Sequence, residues 1–73
     1  MKRCAVSNKI RRLRFDRDEM TQQALAEKIG VTRQTVNAIE AGKYSPSLEV
    51  AFRIAEVFNE PLEAVFAYTP KPV

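Results

Sequence analysis

The chain has 73 residues, 45% of them hydrophobic, 8% aromatic and 29% charged, which is enough apolar material for one small core and not for two. It contains no His and a single Cys, Cys4, so the usual general base, metal-ligand sets and disulfide frameworks are largely excluded, and a lone thiol fits a reducing interior. Basic residues exceed acidic ones by three, distributed as +4 over residues 1–20, +1 over 21–45 and −2 over 46–73, a polarity that points the first two thirds of the chain toward a polyanion.

No apolar run approaches the length of a membrane span or a signal h-region, so a cytoplasmic protein is expected. Without repeats or linker-like stretches, residues 1–73 read as a single domain with a folded core of about 6–67 and a loose tail over 68–73. Val6, Ile10 and Leu13 recur at helical spacing after Ser7, a candidate N-cap, and predict a first helix from about Val6 to Arg17, broken at Asp18-Glu19-Met20. Thr21 can cap a second helix that buries Leu25, Ala26 and Ile29, and Gly30 suits the left-handed position that ends it. Thr32 can cap a third carrying Val36 and Ile39 inward, with Gly42 as its stop signal.

Ser45-Pro46-Ser47 opens a fourth helix, with Pro46 tolerated in its first turn. Leu48, Ala51, Phe52 and Ala55 form one apolar stripe on it and Val50, Ile54 and Val57 a second, the mark of a central helix or one shared with a partner. Asn59-Glu60-Pro61 forces a turn, Leu62, Val65 and Phe66 predict a short fifth helix, and Pro70 and Pro72 a nonhelical tail. No β-alternation is read anywhere. The expected class is all-α, a compact bundle of five short helices.

The stretch from Gln22 to Ala41 is the informative one. Leu25, Ile29, Val31, Val36 and Ile39 supply a shared core, Ala26 is small enough for two helices to approach closely, and Gly30 allows the tight turn between them. These are the sterically demanding positions of a helix-turn-helix spanning 22–41. Through Thr21-Gln22-Gln23-Ala24-Leu25-Ala26-Glu27-Lys28-Ile29-Gly30-Val31-Thr32-Arg33-Gln34-Thr35-Val36 and Ile39-Glu40-Ala41-Gly42-Lys43-Tyr44-Ser45-Pro46-Ser47-Leu48, the sequence resembles the Cro/CI-type (XRE family) helix-turn-helix transcriptional regulators. The resemblance covers residues 8 to 67 and implies a lambda-repressor-like DNA-binding domain. Asn59, where the family often has glycine, Ala41, where a polar residue is common, and a longer linker before Met20 depart from the pattern.

Projecting the third helix at about 100° per residue places Val36, Ile39 and Glu40 inward and Gln34, Asn37, Ala38 and Ala41 outward. Gln34 and Asn37 offer the paired donor and acceptor that read adenine, Arg33 can fork onto guanine, and the alanines let the backbone sink into a groove. Thr32 and Thr35 serve as cap and first turn, and the helix N-terminus there also presents amides to phosphate. The resemblance implies that Gln22 bonds a backbone phosphate and that Lys43, Tyr44 and Ser45 grip the same strand. Arg14 and Glu40 each sit at the rim of an apolar face and, as often in this family, are expected to pair between the first and third helices. Arg11 and Arg12 could add phosphate contacts or simply be solvated, and Phe15 covers the linker or belongs to an interface.

The leading reading is a sequence-specific double-stranded DNA-binding regulator, a repressor acting as a homodimer on a near-palindromic operator, with its third helix in the major groove. An antitoxin-like or adaptor module with secondary DNA binding stays open beside it. No nucleophile-base pair supports an enzyme, and neither a cofactor nor a small-molecule effector is expected. Cys4 receives no role.

Overall fold

The computed structural model describes residues 5–69, in the order β1 (Val6–Asn8), α1 (Ile10–Asp16), α2 (Gln22–Ile29), α3 (Arg33–Glu40), α4 (Leu48–Phe58), α5 (Leu62–Val65) and β2 (Phe66–Tyr68). Cys4, Pro70 and Pro72 lie outside the described residues. None of the helices among the described residues is long and apolar enough to cross a membrane.

Local chemistry explains where α2, α3 and α4 begin. Thr21, Thr32 and Ser47 adopt extended backbone and accept from the amides of Ala24, Thr35 and Val50, so each first turn has one orphan donor satisfied by a hydroxyl. Gly30 ends α2 with φ 77°, and Gly42, just past α3, has φ 74°. Asn59 ends α4 with φ 54°, the left-handed conformation that Asn tolerates better than most side chains. Pro46 stands before the cap Ser47 rather than within the first turn of α4.

The expectation of an all-α fold is corrected by a two-stranded antiparallel sheet, in which Val6 faces Tyr68, Ser7 faces Ala67 and Asn8 faces Phe66. Thr69 N donates to Ala5 O at 2.8 Å and Lys9 N to Val65 O at 2.9 Å, extending the pairing at both ends. The first helix therefore starts at Ile10, not Val6, and Ser7 is a strand residue, not its cap. Instead Asn8 Oδ1 accepts from Ile10 N at 3.1 Å. Phe66 and Tyr68, read as helix and tail respectively, are strand residues as well.

Ile10, Leu25, Ala26, Ile29, Val36, Ile39, Ile54, Ala55, Phe58 and Val65 form the buried core, with Leu13, Met20, Val31, Val50, Val57, Leu62 and Phe66 packed around it. The stripe of Val50, Ile54 and Val57 on α4 is thus internal, whereas in the other stripe Ala51 and Ala55 are buried but Leu48 and Phe52 are exposed. Helix α2 packs against both α3 and α4, and Ala26, with no side chain beyond Cβ, permits that approach.

Remote polar side chains close the helix ends. Asn8 Nδ2 donates to Ile39 O at 2.9 Å, near the end of α3. Arg53 Nη1 donates to Ile29 O at 3.2 Å, at the end of α2. Arg17 donates to the Phe58 carbonyl, at the end of α4. The two guanidinium groups satisfy terminal carbonyls and oppose the negative ends of the α2 and α4 dipoles, whereas Ile39 O accepts from Asn8 in addition to Gly42 N.

Candidate nucleic-acid interface

The turn from α2 to α3 fixes how α3 is presented. Gly30 N donates to Ala26 O at 2.9 Å and Val31 N to the same carbonyl at 3.0 Å, a tight reversal that leads directly to the cap Thr32. Val36 and Ile39 are buried, while Arg33, Gln34, Asn37 and Ala41 are exposed and Thr35 and Ala38 half-buried. The helical projection puts Gln34, Asn37, Ala38 and Ala41 on this side; the structure exposes Gln34, Asn37 and Ala41, leaves Ala38 half-buried and adds the guanidinium of Arg33.

Behind that face, Arg14 and Glu40 form a bidentate pair. Arg14 Nε donates to Glu40 Oε2 at 2.6 Å and Nη2 to Oε1 at 2.9 Å, with side chains only 14% and 8% exposed. Arg14 Nη1 also donates to Met20 O at 2.7 Å, so one guanidinium ties α1, the linker and α3 together. The hydrogen bond to Glu40 is the largest influence on the Arg14 pKa and raises it; desolvation opposes this, and the Glu40 charge adds to it. The pair accounts for an acidic residue at the end of a helix otherwise suited to DNA: its charge is consumed internally.

Gln22, the residue for which the family resemblance implies a phosphate contact, turns its side chain to α3 in this structure. Its Nε2 donates to Glu40 Oε1 at 3.2 Å and to Asn37 Oδ1 at 3.3 Å. A carboxylate only accepts, so the amide nitrogen must face Glu40. Both Gln22 donor contacts are therefore made to α3, and the Asn37 amide is held with its nitrogen available for an outward bond.

Thr32 Oγ1 accepts from Thr35 N at 3.2 Å and lies 3.0 Å from Thr35 Oγ1. Past α3, Lys43 N donates to Ala38 O at 3.0 Å, which brings the exposed Lys43, Tyr44 and Ser45 close to the end of the same helix. None of the ion pairs among the described residues engages Arg33, Lys43 or Arg11. Arg12 lies 3.6 Å from Asp16, whereas Arg11 shares a shallow depression with Arg14, Phe15, Glu19, Met20 and the α2 cap Thr21. Phe15 is 65% exposed, beside the linker without being covered by it. Asn8, Arg17 and Arg53 were not legible as helix-end donors, because their partners are distant in sequence. The only available signal was a polar residue near an apolar stripe.

Helix α3 and its supports are those of a family of DNA-reading domains. The helix-turn-helix family pattern matches residues 10–65, and the chain belongs to the Cro/CI-type helix-turn-helix transcriptional regulators. An HTH-type transcriptional regulator of Methanocaldococcus jannaschii is 55% identical over 49 residues, covering 67% of this chain and 74% of that one. The HTH-type transcriptional regulator YgzD of Bacillus subtilis is 48% identical over 61 residues, covering 84% and 91% respectively. The transcriptional repressor RstR of the cryptic phage CTXphi, from Vibrio cholerae, is 41% identical over 56 residues, 77% of this chain and 50% of RstR. A solved structure of a proposed DNA-binding protein from Bacteroides fragilis matches with a TM-score of 0.74 over 85% of this chain and 98% of that one, at 24% identity, a likeness of fold.

Proposed function

We propose that this protein is a sequence-specific double-stranded DNA-binding repressor that lays α3 in the major groove of a near-palindromic operator and acts as a homodimer in the cytoplasm. The observation that carries the reading is the outer face of α3: Arg33, Gln34 and Asn37 are exposed together, while the one acid on that helix is paired inward with Arg14. Arg33 forks onto guanine, Gln34 and Asn37 read adenine edges, and Ala38 meets a thymine methyl or allows close approach. The N-terminal amides of α2 and α3, with Thr32 and Thr35, meet phosphates, and Lys43, Tyr44 and Ser45 hold the strand beside them. Gln22, at the start of α2, bonds a backbone phosphate and is steered by its contacts to Asn37 and Glu40. Repression follows from occupying the operator, with no chemistry and no effector, and the name of the RstR relative supports that sign of regulation.

The test is selection of bound duplexes from a randomised pool, with binding repeated at two salt concentrations. An enriched two-fold-symmetric site is the expected result. An unenriched pool, with binding that vanishes as salt rises, overturns the reading and moves the search to a protein partner, as for an antitoxin-like module.

A further inference from the structure

We infer that the outer face of α1 is a docking site for an extended acidic segment of another protein, one whose carboxylates flank an apolar side chain. Ile10 is buried and Arg14 turns toward Glu40, which leaves Phe15, about 140° round the helix from Ile10, directed away from the core. Around it Asn8, Lys9, Arg11, Arg12 and Asp16 complete a hollow of about 830 Å³. Arg11 and Phe15 also border a second hollow, of about 250 Å³, that runs on past Glu19 to Thr21. Because the two hollows share those side chains, they form one track from the end of β1 to the cap of α2. An exposed aromatic ring set among guanidinium groups has the composition of a protein contact rather than of a solvated helix face.

Charge narrows the occupant. Lys9 and Arg11 take part in none of the ion pairs among the described residues, and the Arg12–Asp16 pair has both side chains more than half exposed, so it exchanges for a better partner at little cost. The face therefore offers three cations around an apolar anchor, and its complement is a chain with carboxylates on either side of an apolar residue. Two acids decide against a nucleic acid. Asp16 lines the first hollow and Glu19 the second, and a phosphate backbone, charged at every nucleotide, meets both along the track, whereas a peptide places neutral residues there. The Phe15 ring likewise offers nothing to a phosphate. Neither hollow draws any lining from α3 or from residues 43–45, so this inference goes beyond the DNA-reading assignment and does not depend on it.

The experiment follows the amide NMR spectrum of the full chain, and the anisotropy of each labelled probe, on addition of three probes: a synthetic peptide of glutamates around a central leucine and phenylalanine, polyglutamate of the same charge, and a duplex of random sequence. The peptide is expected to shift the amides of residues 9–16 and to bind at least about tenfold more tightly than polyglutamate, because its apolar pair packs on Phe15. Phe15→Ser loses at least about tenfold in peptide affinity and Phe15→Leu keeps most of it, with helical circular dichroism unchanged in both and duplex binding unchanged in Phe15→Ser. Arg12→Gln weakens the peptide by about two- to fivefold, and Lys28→Gln, which removes a cation of α2 outside the track, leaves its affinity in place. No binding of the peptide, shifts that fall instead on α3 and residues 43–45, polyglutamate binding as tightly as the peptide, or a Phe15→Ser chain that binds as well as wild type each overturns the inference. So does a duplex that shifts amides 9–16 and displaces the peptide, which gives the face to nucleic acid, or a shift of those amides with protein concentration alone, which gives it to a second copy.

Discussion

Arg14 shows how much one side chain can decide. Its guanidinium makes two bonds to Glu40 and one to the Met20 carbonyl, and Glu40 also accepts from Gln22. Removing one partner of a nearly buried pair strands the other charge, so Arg14→Met is expected to lower stability by about 3 to 5 kcal/mol in urea melts. Adding Glu40→Leu should recover much of this, since a pair of apolar side chains needs no solvation; a double variant no better than the single would contradict the stranded-charge account. Because the folded Arg14 pKa is raised, its contribution is fully present below the unfolded value and is lost only at more alkaline pH, so Arg14 introduces no pH dependence near neutrality. On the reading face, Arg33→Ala or Gln34→Ala is expected to cost about 1 to 3 kcal/mol of binding and to relax preference at one base pair. Equal losses on all sequences would remove both from base readout.

At the scale of elements, the helix ends carry testable energies. A Cβ at Gly30 would stand 3.5 Å from Arg53 Nη1, an ordinary contact, so the penalty of Gly30→Ala comes from its φ of 77° and is expected to be about 1 to 2 kcal/mol. Asn59→Gly, at the left-handed end of α4, should instead stabilise by about 0.5 kcal/mol. Thermal melts of the two variants must move in opposite directions. The ends of α2, α3 and α4 were legible in sequence because a hydroxyl cap bonds an amide only three residues away, and a left-handed terminus selects Gly or Asn locally. The start of α1 was not. Val6, Ile10 and Leu13 fit a helical spacing, but Val6 is held by Tyr68 across a sheet whose two strands come from opposite ends of the described chain.

For the molecule as a whole, charge governs how binding responds to salt. Counterion release counts only cations placed against phosphates, with a slope of about 0.9 per contact in log affinity against log salt. Lys43→Ala is accordingly expected to weaken all duplexes alike and to make that slope shallower by about 0.9 per protomer. Gln34→Ala should leave the slope unchanged; if it flattens too, the neutral side chain is not acting through base edges alone.

By itself, the sequence determined the helix-turn-helix, its core of Leu25, Ala26, Ile29, Val36 and Ile39, the outward placement of Gln34, Asn37 and Ala41, and the meeting of Arg14 with Glu40. Each of these follows from helical periodicity or cap chemistry, whose interactions span a few residues, or from a family pattern built on them. The tertiary structure alone decided that Val6–Asn8 is a strand, that Gln22 latches onto Asn37 and Glu40, that Asn8, Arg17 and Arg53 close remote helix ends, and that Leu48 and Phe52 are left uncovered. Those outcomes depend on which distant segments come to lie side by side, and a side chain's partner across such a contact leaves no mark in its own neighbourhood of the chain.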